Sequence, residues 1–116
     1  MKYDLEERTV KFSENVIDFI KAIKISTVNK SIIDQLVRSA TSVGANYCKA
    51  NGASSKKDFR NKIYICKKEA KETKYWLRVL ARTEDKKKEE IRKLWQEAQE
   101  LTIIFSKIVS TINKEN

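Results

Sequence analysis

The sequence contains no proline and only two glycines, Gly44 and Gly52. Sandwiches and barrels need many tight turns, and those turns depend on Gly, Asn-Gly or Pro chemistry. Two glycines cannot supply the turns of such a fold, so helices joined by short polar breaks remain as the default. The length of 116 residues fits one domain spanning residues 1–116.

Apolar residues recur at steps of three and four in four segments. The first segment runs from about Asp4 to Lys24. The second begins after Asn29, which is predicted to be its N-cap, and ends at Gly52, where glycine can adopt a left-handed C-cap conformation. Breaks this short allow only antiparallel neighbours. The sequence therefore predicts an all-α, up-down-up-down antiparallel four-helix bundle.

The third and fourth segments have the most regular patterns. Ser55 and Asp58 predict a capping box at the start of the third helix. Its core seam alternates steps of four and three at Phe59, Ile63, Cys66, Ala70, Thr73, Leu77 and Leu80. The seam of the fourth helix has the same spacing at Ile91, Trp95, Ala98, Thr102, Phe105, Val109 and Ile112. In the second helix, Gly44 indicates a tight helix crossing, because a glycine there costs about 1 kcal/mol relative to alanine.

Positive charge is concentrated on the third helix. The chain has 25 basic and 16 acidic residues, a formal charge of +9, and residues 55–83 alone contain ten basic and three acidic side chains. A basic stripe at steps of three and four consists of Arg60, Tyr64, Lys67, Lys71, Lys74 and Arg78. Like charges stacked in this way destabilise a helix. Contact with a polyanion therefore explains the stripe better than a solvated surface, and the sequence is compatible with both.

A second stripe on the third helix lies outside the core seam and mixes apolar with acidic side chains. This mixed stripe consists of Ile65, Glu69, Glu72, Trp76 and Val79. Tryptophan is a favoured interface anchor, so we predict an interface between copies of the chain here. The apolar face of the fourth helix is also wide, with additional residues at Leu94, Leu101, Ile104 and Ile108. For that helix, a second interface and a broad bundle-facing stripe both remain open.

Several elements of catalytic chemistry are missing from the sequence. The chain has no histidine, the commonest general base and metal ligand. Two acidic pairs are spaced to share helix faces, Glu69 with Glu72 and Glu97 with Glu100, but the interleaved lysines favour solvent exposure over a metal site. There is no glycine-rich phosphate loop and no nucleophile beside a base. We predict that the chain is not an enzyme and has no catalytic residue, metal site or cofactor.

The sequence also bears on the compartment. Acidic residues stand near the N-terminus, where a secretory signal would need an apolar stretch. No apolar run approaches the ~20 residues that span a bilayer. Cys48 and Cys66 lie inside helical patterns, and we predict that they are free thiols. We expect a cytoplasmic protein without a membrane partner.

Three segments carry a family resemblance: residues 35–47 (QLVRSATSVGANY), 55–59 (SKKDF) and 68–77 (KEAKETKYWL). They resemble the bacterial four-helix-bundle family named after proteins encoded in intervening sequences of 23S rRNA genes, with a looser likeness toward both ends. The resemblance implies an up-down bundle that assembles as a homopentamer. The family also includes the accessory variability proteins of diversity-generating retroelements, which are basic pentamers that bind nucleic acid and a reverse transcriptase.

The resemblance also carries expectations for individual residues. It implies a polar network between helices or subunits that consists of Arg38, Ser42, Asn46, Glu69, Glu72 and Tyr75. Lys71, Lys74 and Arg78 fall where relatives often carry acidic or neutral residues, so this chain is more basic there.

Taken together, these observations predict a non-catalytic homo-oligomer, with a pentamer implied by the resemblance, that binds an RNA or DNA backbone through the basic stripe. The alternative is a protein-interaction scaffold without a role in nucleic-acid binding. A reverse transcriptase is the implied partner if the chain is a retroelement accessory protein.

Overall fold

The computed structural model describes residues 4–115, which form four α-helices. The helices are α1 (Leu5–Lys21), α2 (Lys30–Asn51), α3 (Lys56–Leu80) and α4 (Lys88–Lys114), with a single-turn 3-10 helix at Asp85–Lys87 before α4. Consecutive helices pack against each other, and α1 also contacts α4. The predicted up-down-up-down bundle is confirmed. It measures 48 × 29 × 20 Å.

The core forms along the predicted seams. On α3, every seam position from Ile63 to Leu80 is buried, and Phe59 is half-buried. On α4, Leu101 is fully buried, and three further residues pack against the core: Leu94, Ile104 and Ile108. Within the single chain, the wide apolar face of α4 therefore packs against the bundle, which supports the second of the two alternatives; a second interface between copies at this face stays a prediction. None of the helices within residues 4–115 is long and apolar enough to cross a membrane.

Asn29 holds two loops together instead of capping α2 with its side chain. It precedes Lys30, as predicted, but its side chain makes no bond to the first turn of the helix. Its Oδ1 accepts a hydrogen bond from the Ser26 amide at 2.8 Å. Its Nδ2 donates to the Lys24 carbonyl oxygen at 3.0 Å and to Glu84 Oε2 at 3.1 Å. The α1–α2 loop is thereby tied to the loop between α3 and α4, which explains why Asn29 is buried.

The turn between α2 and α3 differs in one respect from the sequence prediction. Ser55 caps α3, because its Oγ accepts a hydrogen bond from the Asp58 amide at 3.0 Å. The Asp58 carboxylate accepts from the Ser54 amide at 3.4 Å, one residue before the position that a capping box requires. The prediction of a left-handed Gly52 is wrong. Its φ is −99°, because its amide closes the last turn onto the carbonyls of Lys49 and Ala50.

Gly44 lies at the predicted tight crossing, which is between α1 and α2. A Cβ atom at this position would be 3.0 Å from Thr9 Oγ1 and 3.2 Å from Thr9 Cβ. The two backbones can approach this closely only because the glycine has no side chain.

Candidate nucleic-acid interface

The basic stripe lies along the edge of α3 that borders α4. Two of its residues contact α4 directly. The Lys74 ammonium donates a hydrogen bond to Gln99 Oε1 and lies 5.2 Å from the centroid of the Trp95 ring. Farther along the stripe, Tyr64 Oη accepts a hydrogen bond from Asn113 Nδ2 at 3.3 Å. The stripe therefore forms one wall of the surface groove between α3 and α4.

The cations of the basic stripe form no ion pair with any carboxylate that the structure describes. Lys71 and Arg78 are exposed, while Arg60, Lys67 and Lys74 are half-buried. Within residues 4–115, no carboxylate lies within ion-pair distance, 4.0 Å, of any of these five side chains. Like charges at steps of three and four repel one another along the helix. A row of unpaired cations raises the positive potential at this edge of the bundle.

The three acidic residues of α3 are engaged away from the basic stripe. Glu69 is buried, and both of its carboxylate oxygens accept hydrogen bonds from Arg38 Nη1 of α2 at 3.3 Å. Glu72 pairs with Nη2 of the same arginine. Asp58 lies 3.7 Å from Lys62 in the first turns of the helix. The charges of α3 are thus separated: Arg38 of α2 neutralises Glu69 and Glu72, and the basic stripe lies on the side that borders α4.

The mixed stripe runs along the α2 side of α3. Arg38 binds its two glutamates, and Trp76 Nε1 donates a hydrogen bond to Glu72 Oε2 at 3.2 Å. The remaining members, Ile65 and Val79, are half-buried in the single chain. The contacts among Arg38, Glu69, Glu72 and Trp76 are made within one chain, between adjacent helices. The interface between copies that the sequence predicts at this stripe stays a prediction.

Other members of the expected polar network lie apart from this arginine. Asn46 Nδ2 donates a hydrogen bond to the Ser42 carbonyl oxygen within α2, at 2.8 Å. Tyr75 is exposed and packs edge-on against Trp76, with ring centroids 4.9 Å apart. Within one chain, the network therefore consists of Arg38 on α2 with Glu69, Glu72 and Trp76 on α3; its extension between subunits stays a prediction.

The second acidic pair of the sequence is also bound by an arginine. Arg8 of α1 donates to both carboxylate oxygens of Glu97 at 2.7 Å and to Glu100 Oε1 at 2.9 Å. The two glutamate pairs thus face different helices instead of converging. Among residues 4–115, no group of three or more Cys, Asp or Glu side chains is arranged to hold a metal ion.

Both cysteines are free thiols, as predicted. Cys66 is buried and donates a hydrogen bond to the Val43 carbonyl oxygen at 3.4 Å. Burial raises the pKa of this thiol to about 12, so it stays protonated at neutral pH. Cys66 is therefore a packing residue and not a nucleophile.

Two α4 residues of this groove were not identified from the sequence. Trp95 packs against the core as its seam position predicts, but it is only half-buried and also lies at the α3–α4 edge under Lys74. Gln99 was assigned to no surface. Lys88, Arg92, Trp95 and Gln99 follow one another at steps of four, three and four. This spacing places them on one face of α4 and could have identified that face from the sequence.

Fold and surface together define a class: a small antiparallel four-helix bundle with a basic edge whose cations form no ion pair within residues 4–115. The chain belongs to the 23S rRNA-intervening sequence protein family, because the model of that family matches residues 1–107. The chain is also similar to a solved structure of a protein with unknown function from the S23 ribosomal protein family of Bacteroides thetaiotaomicron VPI-5482. The two chains are 32% identical with a TM-score of 0.78, and the match covers 91% of this chain and 98% of the other. No curated protein matches the chain. The resemblance found in the sequence is confirmed.

Proposed function

We propose that this chain is a cytoplasmic, non-catalytic, homo-oligomeric accessory protein that binds the phosphate backbone of RNA or DNA through the basic stripe. The observation that carries the proposal is the separation of charge on α3. The glutamates of α3 are bound by Arg38, whereas the cations beside α4 have no carboxylate partner within residues 4–115. Phosphates spaced regularly along a strand are the complementary partner.

The chemistry of the stripe favours contact with the backbone over readout of bases. Its cations follow one another along a single helix edge, and an ammonium or guanidinium group binds a phosphate regardless of the base attached to it. Affinity should therefore depend strongly on salt and weakly on sequence. Tyr64 is exposed beside these cations and offers a ring on which a base can stack.

The non-catalytic part of the proposal is supported by composition and by ion pairing. The chain has no histidine. The glutamates that are spaced for acid–base or metal chemistry are occupied by Arg8 and Arg38. A reverse transcriptase is the protein partner to test, and this rests on the resemblance to retroelement accessory proteins.

The alternative, a protein-interaction scaffold, has its own support on the surface. Ile25 and Val28 in the α1–α2 loop are 50% and 69% exposed, and Tyr75 is 59% exposed. Exposed apolar side chains close to each other in a loop are suited to contact another protein. This alternative becomes the better account if the chain binds no nucleic acid.

The test is fluorescence-anisotropy binding of nuclease-treated protein to a structured RNA and to a duplex DNA across a salt series. The variant Lys67→Glu/Lys71→Glu changes two stripe residues that make no hydrogen bond to α4. We expect its affinity to fall at least tenfold. Its slope of log affinity against log salt should be shallower by about 1.8 on duplex DNA, since each lost phosphate contact contributes about 0.9.

A matched control carries the same change of charge elsewhere. Lys30→Glu/Lys49→Glu alters two exposed lysines of α2, whose neighbours in the bundle are α1 and α3. Its salt slope should equal that of the unaltered protein. Equal losses of affinity in the two variants would show that only net charge matters and would contradict an interface at the stripe.

A further inference from the structure

An open cleft lies at the end of α3 where the chain turns into α4. It has a volume of about 440 Å³. Clefts that bind small organic groups usually measure about 300–1,000 Å³. The lining residues are Arg78, Ala81, Lys88, Ile91, Arg92 and Trp95. The basic stripe enters the cleft through Arg78, so the two surfaces are continuous.

The cleft combines an apolar floor with a cationic rim. Ala81, Ile91 and Trp95 form its apolar part, and Ile91 is buried while the other two are half-buried. The Lys74 ammonium lies over one face of the Trp95 ring, 5.2 Å from its centroid, and adds a further positive charge there. No carboxylate is among the residues that line the cleft. A ligand that fits must therefore present a flat or apolar part together with negative charge.

The rim cations are available to such a ligand. Arg78 has no carboxylate within ion-pair distance among residues 4–115. Lys88 lies 3.7 Å from Asp85, and Arg92 lies 3.0 Å from Glu89, but all four side chains of these pairs are exposed. Exposed pairs of this kind contribute little free energy. A phosphate can replace either carboxylate at small cost.

We propose that this cleft holds one unpaired nucleobase against Trp95 while Arg78 and Lys88 bind the phosphates on either side of it. The inference rests on the proposed function and specifies its substrate as a single-stranded or unpaired segment of RNA or DNA. In a duplex the bases are stacked on each other, so a duplex can use the basic stripe but not the apolar floor. An unpaired base exposes the π-face that stacks on an aromatic side chain.

Charge complementarity selects a nucleotide strand over a segment of protein. The cations of the stripe repeat along α3 and continue into the rim of the cleft, so they match a ligand whose negative charges also repeat. A nucleic-acid strand carries one phosphate and one base in each of its nucleotides. The single tryptophan of the cleft can stack with one base, while the cations of the stripe and the rim bind several phosphates of the same strand.

The fluorescence of Trp95 reports the proposed contact directly. The chain has two tryptophans, so Trp76→Phe leaves Trp95 as the single emitter when the excitation wavelength excludes the four tyrosines. Titration with a twelve-nucleotide oligothymidine strand, and with the corresponding oligouridine, should quench this emission. An abasic strand with the same number of phosphates should not quench it and should bind about tenfold more weakly. Trp95→Phe, which leaves only Trp76, should bind without quenching.

A second variant tests the cleft without removing the aromatic ring. Ala81→Leu adds bulk to the lining and keeps every cation. It should bind the oligothymidine strand more weakly than the unaltered protein does, while its affinity for the abasic strand and its salt slope stay unchanged. Far-ultraviolet circular dichroism confirms that the helices of each variant are intact.

Three outcomes would overturn the inference, and they differ in what they say about the proposed function. The first outcome is equal affinity for the oligothymidine and abasic strands, with a steep salt slope and no quenching of Trp95. It would contradict base binding in the cleft and would leave the proposed backbone interface standing. Quenching of equal strength by an acidic peptide of the same charge would place a protein segment in the cleft. Failure to bind any of the nucleic acids would overturn both proposals.

Discussion

Gly44 lies where α1 crosses α2, and Thr9 occupies the space that a side chain at this position would need. The Thr9 hydroxyl is held in place, because it donates a hydrogen bond to the Glu6 carbonyl oxygen at 2.7 Å. Gly52 is in a different situation. A Cβ atom there would meet only the Lys49 carbonyl oxygen, at 3.9 Å, and its negative φ suits any residue.

We therefore expect Gly44→Ala and Gly52→Ala to have opposite effects on the free energy of unfolding. Alanine favours the helix at Gly44 by about 1 kcal/mol, but overpacking against Thr9 costs about 1–3 kcal/mol, so a net loss of about 1 kcal/mol follows. At Gly52 the reduced entropy of the unfolded chain should give a gain of about 0.4–1 kcal/mol. Urea unfolding followed by circular dichroism measures both. A gain of equal size in the two variants would show that the α1–α2 crossing has room for a methyl group.

At the scale of the helices, Arg38 connects α2 to the acidic side of α3. It binds Glu69, which is buried, and Glu72, which also accepts a hydrogen bond from Trp76. Removing one partner of such a group leaves a charge in a site with little access to water. The same contact keeps the glutamates away from the basic stripe, so it affects both stability and the charge presented to a ligand.

Arg38→Leu should accordingly lower the free energy of unfolding by about 1–2 kcal/mol, less than for a fully buried pair because the arginine is itself partly exposed. Arg92→Leu is the matched control, since Arg92 forms an exposed pair with Glu89 within α4. Its unfolding midpoint in urea should not change measurably. A midpoint for Arg38→Leu as high as that of the control would mean that Glu69 is solvated well enough without its partner.

At the scale of the whole molecule, the surface bears on assembly. The mixed stripe remains the predicted interface, with Ile65, Trp76 and Val79 as its half-buried apolar members. A competing apolar surface exists on α1, where Val10 and Ile17 are 37% and 41% exposed. These two residues are seven positions apart and therefore share one helix face.

Multi-angle light scattering should give a mass of several times the 13.5 kDa of one chain, and five times that mass for a pentamer. Val79→Glu should reduce this mass because it introduces a charge into the predicted interface. Val28→Glu, in an exposed loop, is the control and should leave the mass unchanged. A change caused by Ile17→Glu but not by Val79→Glu would move the interface to α1. A mass of one chain at all concentrations would contradict the oligomer.

Periodicity alone determined much of this protein. Steps of three and four identify the buried seams of α3 and α4, the basic stripe and the mixed stripe, because a residue's side of a helix depends only on its position in that helix. The absence of proline and the scarcity of glycine determined the helical class. The tight crossing at Gly44 was predictable for the same reason, since glycine in a helix interior has a cost that close packing explains.

Only the tertiary structure decided which helix each stripe faces and which charges neutralise each other. Arg38 meets Glu69 across 31 positions of sequence, and Asn29 meets Glu84 across 55. Trp95 similarly joins the edge beside Lys74 through the packing of α4 on α3. Helical periodicity specifies a direction within one helix but not the neighbour found in that direction. The basic edge and its tryptophan cleft therefore became visible only once the helices were placed side by side.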